Sequence, residues 1–356
     1  IKFIMAYTTI KKPSDYFNTK LYTGNGSAGN AITGVGFQPD WVWIKNRDAA
    51  NWHQTFDAVR TASSGTLYTN QTSAEDFGGG NLLASFDSDG FTVNTNTGVN
   101  ANGQNLVAWN WLGANGTASN TDGSITSTVS ANTTAGFSIV KYTGTGANAT
   151  VGHGLGVSPS MIILKSLDRA DSWWIYHKGL SNPSTKAILL NSTNTEFTPG
   201  TSAFNPSTFS SSVFGILTDG ASNASGENYI AYCFAEKTGY SKFGSYTGNG
   251  NADGTFVYTG FKPAWVLIKH ASGGTASGEH WNLQDVKRSN YNPSIVMLSP
   301  NSSNADNSTT NNSLDILSNG FKVRTVDNRL NNSGASYIYT CFAEEPLVGD
   351  NPATAR

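Results

Sequence analysis

Apolar residues along this chain fall in short runs set between clusters of Gly, Pro, Asn and Asp, and the runs favour β-branched and aromatic side chains. That pattern predicts short strands joined by turns. No long segment carries apolar residues at the 3.6-residue spacing of an amphipathic helix. Three runs stand out: Trp41-Val42-Trp43-Ile44, Met161-Ile162-Ile163-Leu164 and Trp265-Val266-Leu267-Ile268. Each follows a proline (Pro39, Pro159, Pro263), which suits the first position of a strand, where the missing N–H does least harm.

These runs belong to a threefold internal repeat. Its copies open on Tyr22-Thr23-Gly24-Asn25-Gly26, Tyr142-Thr143-Gly144-Thr145-Gly146 and Tyr246-Thr247-Gly248-Asn249-Gly250. In every copy the proline lies 17 residues past the tyrosine, and a lysine (Lys45, Lys165, Lys269) lies 23 past it. Each copy closes on an apolar strand near Val107–Trp109, Tyr229–Tyr232 or Tyr337–Thr340. The start-to-start periods, 120 (142 − 22) and 104 (246 − 142), exceed the roughly 20–50 residues of solenoid and propeller repeats. The expected fold class is therefore all-β, with three tandem antiparallel β-sandwich, jelly-roll-like domains. The expected units are an N-terminal arm (1–20), copies at 21–116, 137–240 and 241–349, a Gly/Asn/Ser/Thr-rich linker (117–136) and a C-terminal tail (350–356). The copies are expected to form a rod, with the arm as an attachment segment. Met5 reads as a natural start, with Ile1–Ile4 an added extension.

Composition narrows the function. Only 13% of residues are charged, about half the usual share near 25%, and net charge is −2. No basic face is indicated for nucleic acid, and no polybasic patch for anionic lipid. No stretch approaches the roughly 20 apolar residues of a membrane helix. Cys233 and Cys341 occupy matching places in two copies, inside apolar runs, and read as buried reduced thiols.

Candidate chemistry is sparse. Gly24-x-Gly26-x-x-Gly29 matches a dinucleotide fingerprint by letter, but no strand-turn-helix context surrounds it, so it reads as a turn. Asp87 and Asp89, in Asp87-Ser88-Asp89-Gly90, resemble the start of a calcium loop without its later ligands, and a tight turn is favoured. Glu75-Asp76 with Asp87 or Asp89 is the available carboxylate pairing for glycoside hydrolysis, and it does not recur between copies. The five histidines lack zinc spacing, and no Gly-x-Ser-x-Gly elbow occurs. No cofactor is indicated, and no catalytic residue is assigned. Trp52, Trp173, Trp174 and Trp281 are the candidate carbohydrate-stacking residues; recurrence of a tryptophan in every copy favours packing instead. The recurring lysines read as solvated or paired edge residues.

The repeat resembles one found in structural proteins of tailed bacteriophages, chiefly phages of marine and cyanobacterial hosts. The first copy carries the resemblance at Tyr22–Gly26, Gly36–Lys45, Trp52-His53, Ser85–Phe91 and Val107–Trp109. The third carries it at Tyr246–Gly250, Gly260–Lys269, Trp281 and Asn319-Gly320-Phe321, and the second departs most. The resemblance implies a non-enzymatic protein of the virion surface, a tail fibre or receptor-binding protein. A capsid decoration or head-fibre protein is the alternative, and a polysaccharide-degrading tailspike is a third reading. It implies other virion proteins as partners, through the arm, and a host-surface glycan or protein. A homotrimer is expected of fibres generally.

Overall fold

The computed structural model describes residues 8–61, 65–274 and 278–346. The expectations for Ile1–Ile4 and for the tail at 350–356 lie outside the described residues. The fold is all-β, in antiparallel sheets.

Each copy builds one large and one small sheet, and the third adds a two-stranded one, Val296–Met297 with Asn307–Ser308. In the first, the opening strand Phe17–Thr23 pairs with the closing strand Asn105–Trp111, which pairs with Trp41–Asn46 and so on to Gln54–Asp57 and Leu67–Tyr68. The small sheet orders Asn30–Thr33, Gly90–Val93 and Leu83–Asp87. The same opening–closing–lysine-strand order recurs as Phe137–Thr143, Asn228–Phe234 and Met161–Ser166, and as Ser241–Thr247, Ser336–Pro346 and Phe261–Ser272. Pro263 departs from its expected place: the third strand begins at Phe261, and the proline sits at register shifts within it, another position where a missing N–H is tolerated.

The lysine strands explain the architecture. Trp41–Asn46 and Met161–Ser166 are buried at every position, as strands covered on both faces are. One face packs on the copy's own small sheet: Val42 and Ile44 join Phe91 and Val93, Ile162 and Leu164 join Phe214, and Val266 and Ile268 join Phe321. The alternate residues, Trp41, Trp43, Met161, Ile163, Trp265 and Leu267, meet in a single core shared by all three copies. There Trp41 stacks on Tyr232 at 4.4 Å, Phe17 on Phe342 at 5.2 Å, and Phe234 lies 5.8 Å from Phe342. Each such pair is worth ~0.5–1.5 kcal/mol beyond its buried area.

Three sets of equivalent contacts join the copies, and the first and third of them close into rings. The backbone N–H groups of Glu75, Glu196 and Asp306 donate to the carbonyls of Leu167, Ala271 and Arg47, each in the next copy, at 2.9, 2.8 and 2.8 Å. In the second set, the Trp173 indole donates to Tyr68 O at 2.9 Å and the Trp281 indole to Leu189 O at 3.0 Å. His53 holds that place in the first copy; its Nδ1 accepts from the Trp43 indole of its own copy at 3.0 Å and its Nε2 has no hydrogen-bond partner, so this set has two links. In the third set, Tyr232 donates to Asp57 at 2.8 Å and Trp109 to Asp285 at 3.0 Å, while the His177 ring lies 3.4 Å from the Thr340 hydroxyl. Copies one, two and three are thus joined head to tail and back to the start.

Three expectations are corrected. The copies do not form a rod, because each large sheet would then leave an aromatic face in water. Residues 8–20 are not a free arm: Thr8 Oγ1 donates to Thr238 O at 2.7 Å, and Ile10 and Phe17 lie in the shared core. Residues 117–136 are not a linker loop. Ala118–Asn120 and Ser127–Asn132 add two strands to the second copy's sheet, with Val129 packed in its core. Both cysteines are free and buried, as expected.

The shared core predicts one cooperative unfolding unit. Trp41→Ala is expected to cost about 3–5 kcal/mol, as large aromatic deletions do, and to lower the midpoint of all three copies together. Denaturant melts followed by far-UV circular dichroism and tryptophan fluorescence should superimpose; separate transitions would contradict the shared core.

Candidate functional site

The most repeated residues build locks. The tyrosine hydroxyls of Tyr22, Tyr142 and Tyr246 each donate at 2.7 Å to a carbonyl (Val99, Ser222, Leu330) in a one-turn helix. The next helix residue is a buried asparagine. Asn100, Asn223 and Asn331 accept from the backbone N–H of Asn25, Thr145 and Asn249 at 2.8–2.9 Å. A Cβ at Gly24, Gly144 or Gly248 would run into the carbonyl oxygen of Ala101, Ala224 or Asn332, which is why glycine recurs there. The Gly-x-Gly stretch is therefore a turn clamped by a helix end, with its approach filled by protein. Sequence reading passed over the asparagines. The signal was Asn/Asp-x-x-x-Asn, in Asn96–Asn100, Asp219–Asn223 and Asp327–Asn331, where the first residue caps the helix and the last locks the turn.

The carboxylates considered for catalysis or calcium are held by the chain itself. Asp87 accepts from the Ser85 and Thr92 hydroxyls, both at 2.7 Å. Asp89 accepts from Gly36 N at 2.6 Å and Gly34 N at 2.9 Å, and these bonds hold its pKa below the ordinary value. They tie two loops together, as a turn anchor does. Glu75 pairs with Arg60 at 2.6 Å, and Asp76 accepts from Tyr68 Oη at 2.7 Å. Buried acid–arginine pairs recur at Asp57–Arg60 and Asp285–Arg288, with both partners out of water. Among the described residues no group of three or more His, Cys, Asp or Glu is placed to hold a metal ion.

The four tryptophans part company. Trp173 and Trp281 are buried in the shared core, and Trp174 lies against Phe197 in the second copy's own core. None presents a ring face to a sugar, so carbohydrate stacking is corrected for these three; their indoles link neighbouring copies or fill a sandwich. Trp52 differs. It is 46% exposed, whereas the other eight of the nine tryptophans are at most 9% exposed. The reason is a one-residue offset. Asn70, Asn191 and Asn301 accept from the backbone N–H of His53, Trp173 and Trp281, so His53 is the counterpart of the buried tryptophans and Trp52 stands one position before them.

Trp52 forms one wall of a cleft of about 240 Å³ lined also by Ala50, Asn51, Gln54, Tyr68, Asn96, Thr97 and Gly98. Its ring meets the Tyr68 ring edge-on, with centroids 4.8 Å apart at 65°. Gln54 Nε2 donates to Asn96 Oδ1 at 3.1 Å. The buried Gln54 Oε1 has no hydrogen-bond donor. No charged side chain lines the cleft. Aromatic, amide and hydroxyl groups of this kind can bind an uncharged polar ligand. No helix among the described residues is long and apolar enough to cross a membrane.

A family model for a domain of unknown function, DUF7483, matches residues 12–346. The chain belongs to the DUF7483 family. No curated protein and no solved structure matches it. In this DUF7483 chain the match runs through all three copies and the strands 118–132, in keeping with a single closed body.

The repeated lysines correct a further expectation. Lys45, Lys165 and Lys269 are fully buried, not solvated edge residues. Lys45 Nζ donates to the Asn46 and Ala49 carbonyls, Lys165 Nζ to Ser166 and Arg169, and Lys269 Nζ to Thr193 in the second copy and Glu279 in its own. Each ammonium ties down the loop after its strand. Burial lowers their pKa values to about 8, 8 and 7. The folded values lie below the unfolded value near 10.5, so this part of the stability is fully present above pH 10.5. It is lost as pH falls through the folded values. Between pH 7 and 8.5 the DUF7483 chain is expected to gain on the order of 1 kcal/mol per buried lysine. Urea melts across that window check the slope, and Lys269→Met should reduce it whatever it does to absolute stability.

Proposed function

We propose that this chain is a non-catalytic binding protein of a virion surface, a tail-fibre or receptor-binding component that contacts the host. The observation that carries the binding part is the contrast between Trp52 and every other tryptophan: one indole left in water beside an uncharged polar cleft, on a body that buries the other eight. The virion part rests on the resemblance of the repeat to phage structural proteins. The acids weighed for catalysis are engaged in turn and salt-bridge bonds, which supports adhesion over a tailspike hydrolase. Attachment to other virion proteins through residues 8–20 loses its support, since those residues are packed into the body. The homotrimer expected of fibres would assemble three bodies that are each threefold already, and light scattering on the purified chain reads that number.

Immunogold labelling of virions that carry the chain tests the placement. Label on the tail is expected; label on the capsid would move the protein to the decoration reading. Incubation with host capsular or lipopolysaccharide preparations should release no oligosaccharide, and release would overturn the non-catalytic reading.

A further inference from the structure

We propose that the Trp52 cleft binds a single neutral pyranose ring, and that the threefold body carries one such site. This deepens the adhesion reading and rests on it.

The platform is built before any ligand arrives. Tyr68, which braces the Trp52 ring, is fixed at both ends: its hydroxyl donates to Asp76, and its carbonyl accepts the Trp173 indole of the next copy. The exposed aromatic therefore stands on one of the junctions between copies, and little conformational entropy remains to be lost on binding. Burying such an indole face against the apolar C–H face of a pyranose removes apolar area from water on both partners.

The polar groups select the other side of the ligand. Gln54 is 3% exposed, and its Oε1 lacks a donor. That oxygen is closed to solvent, so Gln54 shapes the floor of the cleft and the groups open to a ligand hydroxyl are those at the rim. The amide is locked from behind: Nε2 is bound to Asn96, and a Cβ at Gly98 would collide with it. Asn51 and Thr97 add hydroxyl partners at the rim. With no Lys or Arg among the lining residues, a carboxylate or sulfate would lose its water shell with nothing to pair against it. The volume of about 240 Å³ falls below the roughly 300–1,000 Å³ of pockets for drug-sized ligands, so one ring of a glycan fits rather than several.

The other copies lack the platform. Register and the asparagine bonds place Ser172 and His280 where the first copy has Trp52. The counterparts of Gln54 are Trp174, buried in its own sandwich, and Asn282; those of Tyr68 are Leu189 and Ser299. The scaffold does not require an exposed tryptophan at this position, because two copies fold without one.

The test uses the full chain with methyl glycosides of glucose, galactose and N-acetylglucosamine, and with glucuronate as the anionic control. Saturation-transfer NMR reads binding, and acrylamide quenching reads protection of the one exposed indole. At least one neutral glycoside is expected to bind with millimolar affinity and protect Trp52, while glucuronate does not. Trp52→Ala should weaken binding at least tenfold with an unchanged circular dichroism spectrum, and Asn51→Ala should weaken it severalfold. The proposal is overturned by binding of none of the neutral glycosides, by glucuronate binding as well as they do, or by Trp52→Ala binding like the parent. Failure here leaves the virion placement intact, since gold labelling reads that independently.

Discussion

A β-sheet whose strands are apolar on both faces has two surfaces to bury, and one copy of this repeat can cover only one of them. The small sheet of each copy packs on Val42, Ile162 or Val266 and their neighbours; Trp41, Met161 and Trp265 face the other way. Alone, each copy would expose a large aromatic patch of the kind that drives association. Three copies turned inward cover one another, and the remaining features follow. The closing strands supply Trp109, Tyr232 and Phe342 to the shared core, and the segment before the first copy is drawn in through Ile10 and Phe17.

Placing three copies on one chain has a consequence that three identical chains could not have. Equivalent positions are free to differ. The acid ring uses Asp57 and Asp285 in the first and third copies and His177 in the second, where burial holds the imidazole neutral with a pKa of about 3. Two of the three positions in this ring therefore hold a buried carboxylate neutralised by Arg60 or Arg288, and the other holds an uncharged imidazole. Removing one member of a buried pair costs about 3–5 kcal/mol, so these junctions resist change. Replacing both members together, as the second copy does with His177 and Leu180, is tolerated far better.

Much of this was legible in the sequence, and the part that was not has a physical reason. Strand content, the three copies, the turn nature of Gly24-x-Gly26 and the buried thiols followed from local chemistry. The shared core was written in Trp41-Val42-Trp43-Ile44, which is apolar at consecutive positions instead of alternating, and consecutive apolar residues mark a strand covered twice. What covers the second face is a matter of long-range packing, which spacing does not carry. The segment 117–136 misled because Ser, Thr and Asn suit exposed strand positions as well as loops, and its buried members, Val129 among them, are few. The tryptophans misled through one residue of register: Trp52 follows Lys45 by seven (52 − 45) and Trp173 follows Lys165 by eight (173 − 165), and that single step separates the surface from the core.

The same step bears on where function can reside. Positions that point into the junctions are committed: Tyr68 O and Leu189 O accept indoles of the neighbouring copy, and a change there is felt across a junction. Residues one position away lie nearer the surface: Trp52 is exposed, and Ser172 and His280 are half-buried. Trp52, Ser172 and His280 are such a set, and they differ as much as three side chains can while the backbone N–H groups of their neighbours His53, Trp173 and Trp281 keep the same kind of partner, an asparagine. A closed threefold scaffold thus leaves its outer surface free to vary and lends that surface the rigidity of the core beneath it. A binding residue on this fold is best sought beside a junction position, where support is greatest and constraint has just ended.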